Sequence, residues 1–227
     1  MQIVSVLLAQ SMKAVRLIGD YGYLPDAMKA LVERYGFVGV PTTREEFFPT
    51  DPSTGITFRH GKLVLPDRTI IIDFLQIYQN GLLVTTRTNT SDSDLVIEDV
   101  FKWATDTFNT KYEPVRPGFV HSSQLEVRFE LSLPELVPVV SSVGNAVTNR
   151  LDDFFEIRPR YELISLNFWF DKTKFPNIAP TAVRIDRREA VAFEQEVYWS
   201  EAPLSTQDHI EVLAEFENSC LQPLKKQ

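Results

Sequence analysis

Apolar residues recur along this chain with two different periods, and the changes of period mark its elements. Gln124-Leu-Glu-Val-Arg-Phe-Glu-Leu131 alternates strictly, so Leu125, Val127, Phe129 and Leu131 share one face of a strand and Glu126, Arg128 and Glu130 share the other. Residues 160–170 and 190–199 alternate too. Ile164, Leu166, Phe168 and Phe170 form one face, and Val191, Phe193, Val197 and Trp199 form the other strand's face. Helical spacing takes over at Ala27, Met28, Leu31, Val32 and Tyr35, with Pro25 and Asp26 in the first turn and Gly36 as terminator. It returns at Leu95, Val96, Val100, Phe101, Ala104 and Phe108, after a Ser/Thr/Asp-rich cap at residues 88–93. Ser132-Leu-Pro-Glu135 has the capping-box form and predicts a helix towards Phe154, with Leu136, Val140, Val143, Val147 and Leu151 on its inner face. Ser205-Thr206 caps a last helix through Cys220, carrying Ile210, Leu213 and Phe216, with Glu217 at the margin.

Between the first two helices lies a predicted meander. Residues 41–55 read as a loop, His60-Gly61 and Pro66-Asp67 as turns, and Asn80-Gly81 as a two-residue hairpin turn of type I′, which demands positive φ at both positions. That turn would set Gln79 against Leu82, Leu75 against Thr86, Asp73 against Thr88 and Phe74 against Arg87. Ile71, Leu75 and Ile77 then line one face and Ile70, Ile72 and Phe74 the other, which implies a sheet covered on both sides. Residues 1–18 are apolar without a clear period, and fit a helix or two strands. Gly19-Asp-Tyr-Gly22 breaks that run.

The expectation is an α+β fold of antiparallel β-meanders, each followed by a packing helix, with two similar halves. Residues 1–112 would hold an N-terminal helix, a four-stranded meander and a helix. Residues 119–227 would hold a strand, a long helix, three strands and a helix. The proline-bearing stretch 110–118 is the natural linker, and the two parts could equally form one continuous domain. Asn89-Thr-Ser-Asp and Leu204-Ser-Thr-Gln open the two closing helices alike.

Charge and composition narrow the function classes. The formal net charge of −8 disfavours non-specific nucleic-acid binding, which needs clustered cations. A basic face would have to be assembled from Lys13, Arg16, Arg44, Arg158, Arg160, Arg187 and Arg188. The acidic balance also disfavours anionic membranes, and no apolar run is long enough to span one. A single cysteine, Cys220, leaves no internal disulfide and suits the cytoplasm.

No phosphate loop, dinucleotide fingerprint or nucleophile elbow is present. His60, His121 and His209 lack metal-ligand spacing with each other or with Cys220, so neither metal nor cofactor is expected. Three residues stand out as candidate ligand or partner contacts. Asp73 interrupts a run of isoleucines. It would either bond a threonine hydroxyl across the hairpin or line a cavity. Trp169 sits on the polar side of its strand and suits a contact surface. His121 lies where a loop meets a strand. Two functions follow as expectations. The first is a non-catalytic interaction or assembly subunit that meets a protein partner or its own copies through sheet and helix surfaces. The alternative is a small-ligand-binding or hydrolytic domain with Asp73 lining a cavity between sheet and helix.

Overall fold

A computed structural model of the chain describes residues 1–18, 24–51, 53–115, 118–151, 161–171, 173 and 181–224. The Gly19-to-Gly22 break, the Phe154 end of the third predicted helix, and Arg158 and Arg160 lie outside them. The fold is mixed α+β, with nine antiparallel strands and six α-helices among the described residues. Two compact units divide it. The first comprises Val6–Ser123 and Pro203–Gln207; the second comprises Met1–Ser5, Gln124–Ala202 and Asp208–Gln227. The division falls after Ser123, inside a strand.

Residues 1–18 form one strand, β1 (Gln2–Ile18), which enters both units. The first unit continues with α1 (Leu24–Tyr35), α2 (Arg44–Phe47), β2 (Ile56–Val64), β3 (Thr69–Tyr78), β4 (Gly81–Thr86), α3 (Thr90–Phe108) and β5 (Lys111–Pro114). Its sheet runs β2-β3-β4-β1, and β5 also pairs with β1. The second unit holds most of β6 (Val120–Arg128), then α4 (Leu133–Leu136), α5 (Pro138–Leu151), β7 (Ser165–Phe168), β8 (Val183–Arg187), β9 (Val197–Ala202) and, from Asp208 on, α6 (Thr206–Leu224). Its strand order is β6-β9-β8-β7.

Each unit therefore repeats one succession: a strand, helix, three antiparallel strands and a long helix. The repeat is closest at its end. Strands β4 and β9 both have six residues and helices α3 and α6 both have 19. Gly81 and Val197, like Thr90 and Thr206, stand 116 residues apart. Asn89 thus corresponds to Ser205, one place beyond the Leu204 match that the residue types suggest. The two helix starts also cap each other. The Thr90 amide donates to Thr206 Oγ1 and the Thr206 amide donates to Thr90 Oγ1, both at 3.0 Å. Reciprocal capping satisfies one orphan amide at each helix start.

The expected turn chemistry is replaced in two places. The β3–β4 register pairs Tyr78 with Gly81 and Leu75 with Val84, so the loop is Gln79-Asn80 and Gly81 already belongs to the strand. Neither Asn80 nor Gly81 has positive φ, which excludes the type I′ turn. Glycine is required at 81 for another reason: a Cβ there would lie 2.5 Å from the Lys13 carbonyl of β1. The Asn80 carbonyl accepts from the Val15 amide at 2.8 Å, tying the hairpin end to β1. His60-Gly61 is likewise no turn. It lies inside β2, and a Cβ on Gly61 would meet the Phe37 ring at 2.4 Å.

His60 adopts φ 56° and skips the pairing with Asp73 that the flanking register would place opposite it. The buried set changes phase at this point. Ile56 and Phe58 are buried before it, Gly61 and Leu63 after it; on β3 the buried residues are Ile70 and Ile72, then Leu75. Ile71 is exposed. The apolar residues on both sides of β3 are thus one buried face that switches pleat at His60 and Asp73, rather than two covered faces. That face packs under α1 and α3, with Met28, Leu31, Tyr35, Val96, Ile97, Val100 and Phe101 closing the core.

Other expectations shift with packing. Residues 111–114 of the expected linker form β5. In β9 the buried side is Tyr198, Ser200 and Ala202, with Trp199 only half-buried, and Phe193 lies in a 3₁₀ turn. The capping box at Ser132 and Glu135 forms, but the helix breaks at Val137 and α5 leaves Val143 exposed. Leu125, Val127 and Phe129 are buried as their alternation requires, and so is Glu217, which accepts from the Glu130 amide at 2.7 Å.

Candidate functional site

The first unit holds a half-open cavity of about 810 Å³ between its sheet and its helices. The floor is the β3–β4 hairpin end, with Ile77, Tyr78, Gln79 and Leu82, joined by Ile56 and Leu17. Helix α1 contributes Ala27, Met28 and Leu31, the inner stripe of its helical repeat. Helix α3 contributes Val100, Phe101, Trp103, Ala104 and Phe108. The last wall is α2 and the chain after it: Phe47, Phe48, Pro49, Asp51 and Thr54.

Local chemistry sets each wall. α2 is a single turn held by a reciprocal box: the Glu46 amide donates to Thr43 Oγ1, and the Thr42 and Thr43 amides donate to the Glu46 carboxylate. These amides hold Glu46 below the usual carboxylate range. Asp51 accepts from the Ser53 amide and hydroxyl at 2.8 and 2.7 Å, which lowers its pKa in the same way. α3 stops at Asn109, in the left-handed region at φ 53°, and the turn sets Phe108 and Thr110 at the cavity edge. Trp103 stands edge-on to Tyr35 and Phe108, with ring centroids 6.4 and 5.4 Å apart.

The lining is overwhelmingly apolar and carries six aromatic rings: Phe47, Phe48, Tyr78, Phe101, Trp103 and Phe108. Its polar groups are few. Tyr78 donates to Gln76 Oε1 at 3.2 Å, and burial raises its phenol pKa. Among the described lining residues Asp51 is the one charged side chain. Cavities of about 300–1,000 Å³ with apolar walls and a few polar groups hold small molecules.

The sequence candidates fall elsewhere. Asp73 does not line the cavity and does not bond Thr86 or Thr88; it pairs with Arg87 Nε at 2.6 Å. Strict alternation would put those two on opposite faces. β4 ends at Thr86, so Arg87 is free of the pleat and reaches across. His121 Nε2 lies 3.1 Å from both Asp94 carboxylate oxygens, and its ring stacks on Phe119. Trp169 is 57% exposed, beyond the end of β7, with Phe170 beside it. Thus Asp73 is paired with Arg87, His121 is bonded to Asp94, Trp169 sits in the other unit, and none reaches the cavity.

The sequence pattern misses α2, which lies in the stretch 41–55 expected as a loop. The signal for α2 was present, since Thr43-Arg-Glu-Glu46 has the capping-box spacing. No local signal marks a cavity, because wall residues and core residues share one pattern.

Two buried polar clusters invite a catalytic reading, and geometry argues against it. Ser200 Oγ lies 2.9 Å from His209 Nε2, both fully buried. Ser200 donates its proton to the Arg184 carbonyl at 2.8 Å, so the imidazole N–H donates to Oγ and cannot serve it as a base. Arg187 donates to the Phe193 carbonyl at 2.8 Å, Glu196 at 3.2 Å and Tyr198 at 3.1 Å, with Glu162 3.7 Å away. This is a buried charge network. Lys13 is buried too, paired with Glu98 and lying 4.9 Å from the Phe119 ring centre. Lys13 and Arg187 are therefore withdrawn from any basic face.

Among the described residues, no group of three or more His, Cys, Asp or Glu is placed to hold a metal, and no helix is long and apolar enough to cross a membrane. No protein-family model matches the chain, and no curated protein matches it in sequence.

Proposed function

We propose that the first unit is a binding module for a small, mainly apolar molecule, held between the sheet and helices α1 and α3. The cavity of about 810 Å³ carries this reading. Its volume is in the range of drug-sized ligand sites, and filling it removes apolar surface from water on both partners. The reading is of binding and not of covalent chemistry. It is supported by the engagement of the lining carboxylate and phenol with Ser53 and Gln76. A cytoplasmic setting belongs to the same proposal, supported by the single cysteine.

The test is a titration with N-phenyl-1-naphthylamine, a neutral dye that brightens in apolar sites. Saturable brightening is expected, and Ala104→Trp, which adds an indole to the α3 wall, should weaken it about tenfold or more. The variant's far-ultraviolet circular dichroism should remain that of the parent. No saturable uptake, or equal uptake by a folded Ala104→Trp protein, would overturn the reading.

A second reading, assembly with a protein partner or a second copy, is favoured by one observation. β7 is the edge strand of its unit's order, and Phe168 and Trp169 at its end are both more than half exposed. Trp169→Asp should then lower the native mass measured by light scattering. An unchanged mass, alone and with host lysate, would remove it.

A further inference from the structure

We propose that the ligand of this cavity is an apolar amine: a hydrocarbon or aromatic body carrying one protonated nitrogen. This rests on the cavity being a binding site and adds the charge of what enters it. Two independent features of the lining point the same way.

The first is the charge balance. Asp51 lines the cavity, and no Lys, Arg or His does so among the described residues. Two cations beside lining rings, Lys13 near Phe101 and Arg34 near Trp103, are already paired. Lys13, 5.7 Å from the Phe101 ring centre, is paired with Glu98. Arg34 is bidentate to Asp99 at 2.9–3.3 Å. A fatty acid or other anionic amphiphile would bring its carboxylate towards Asp51, whose like charge repels it. An ammonium group would instead meet the Asp51 carboxylate, which two hydrogen bonds from Ser53 hold in place.

The second is the aromatic content. Six of the lining side chains are aromatic, and Phe47, Phe48 and Tyr78 come from the same α2 and hairpin walls as Asp51. Ring faces carry negative charge density and attract cations within about 6 Å of the centroid. A carboxylate and several rings lining one cavity select an alkyl- or arylammonium over an alcohol of equal length, and an alcohol over a carboxylate. Asp51 itself stays at the open edge, so the nitrogen remains near water while the apolar body occupies the interior.

The experiment displaces bound N-phenyl-1-naphthylamine from the whole chain with three ligands of one chain length: decylamine, decanol and decanoate, each below its micelle concentration at neutral pH. Decylamine is expected to displace the dye at concentrations about tenfold below decanol, and decanoate only above decanol. Asp51→Asn keeps an oxygen acceptor for Ser53 and removes the charge. It should bring the amine-to-alcohol preference down to about one. Raised salt should narrow the amine preference in the parent protein. Decanoate displacing as well as decylamine, or an unchanged preference in a folded Asp51→Asn protein, would overturn the amine assignment while leaving the binding site standing. Failure of the dye itself to bind would overturn the site and the assignment together.

Discussion

Lowering the pH should destabilise this protein through His209. His209 is fully buried, and that burial depresses its pKa from 6.5 to about 4. The unfolded chain therefore takes up a proton near pH 6.5 that the folded chain refuses until about pH 4. Stability contributed by the neutral imidazole is fully present above pH 6.5 and drains away as pH falls towards 4. The slope is ~1.36 kcal/mol per pH unit, so the loss reaches about 2 kcal/mol by about pH 5 and saturates near 3 kcal/mol, roughly. Carboxylates titrate in the lower half of this window as well, so the decisive quantity is a difference. His209→Gln keeps a neutral donor for Ser200 and cannot be protonated. Urea unfolding of both proteins between about pH 7.5 and pH 5 should show the parent losing about 2 kcal/mol more than the variant. The imidazole resonance of His209 should move with a midpoint near 4. Parallel stability curves, or a midpoint at 6.5, would refute the argument that this ring is held neutral by burial.

Three further outcomes follow from packing. Gly81→Ala should cost about 1–3 kcal/mol in urea unfolding, because its methyl group meets a backbone carbonyl, whereas Asn80→Ala should stay within about 0.5 kcal/mol; a type I′ turn would make both substitutions costly. Arg187→Ala should destabilise by roughly 3–5 kcal/mol, since it removes the buried guanidinium that bonds Phe193, Glu196 and Tyr198, and a loss under about 1 kcal/mol would show that the network is not closed in solution. Thr90→Val and Thr206→Val should each cost about 1 kcal/mol in urea unfolding, because each removes the hydroxyl that caps the other helix start; unchanged stability in either variant would contradict mutual capping.

The residues that made the α+β class legible were those with one buried face. Leu125, Val127 and Phe129 alternate because one side of β6 is core, and Met28, Leu31 and Tyr35 repeat at helical spacing because one side of α1 is. Ser132 and Glu135 announced a helix start, and Thr43 and Glu46 did so as clearly for α2. The candidate site was not legible in the same way. Asp73 looked unusual because it broke a run of isoleucines, yet it marks a pleat switch and pairs with Arg87. The cavity walls look ordinary, because Phe47, Trp103 and Phe108 are the residues any core would use.

Periodicity, caps and charge are properties of neighbours in the chain, so the strands, helices, mixed class and acidic balance could be read without coordinates. Register, by contrast, depends on which strand comes alongside. Gly81 was read as half of a turn, and only the approach of the Lys13 carbonyl on β1 shows it to be a strand residue chosen for lack of a side chain. The cavity likewise exists because α1, α2 and α3 are held apart over one sheet. Empty space between elements leaves no mark on the local pattern of any of them.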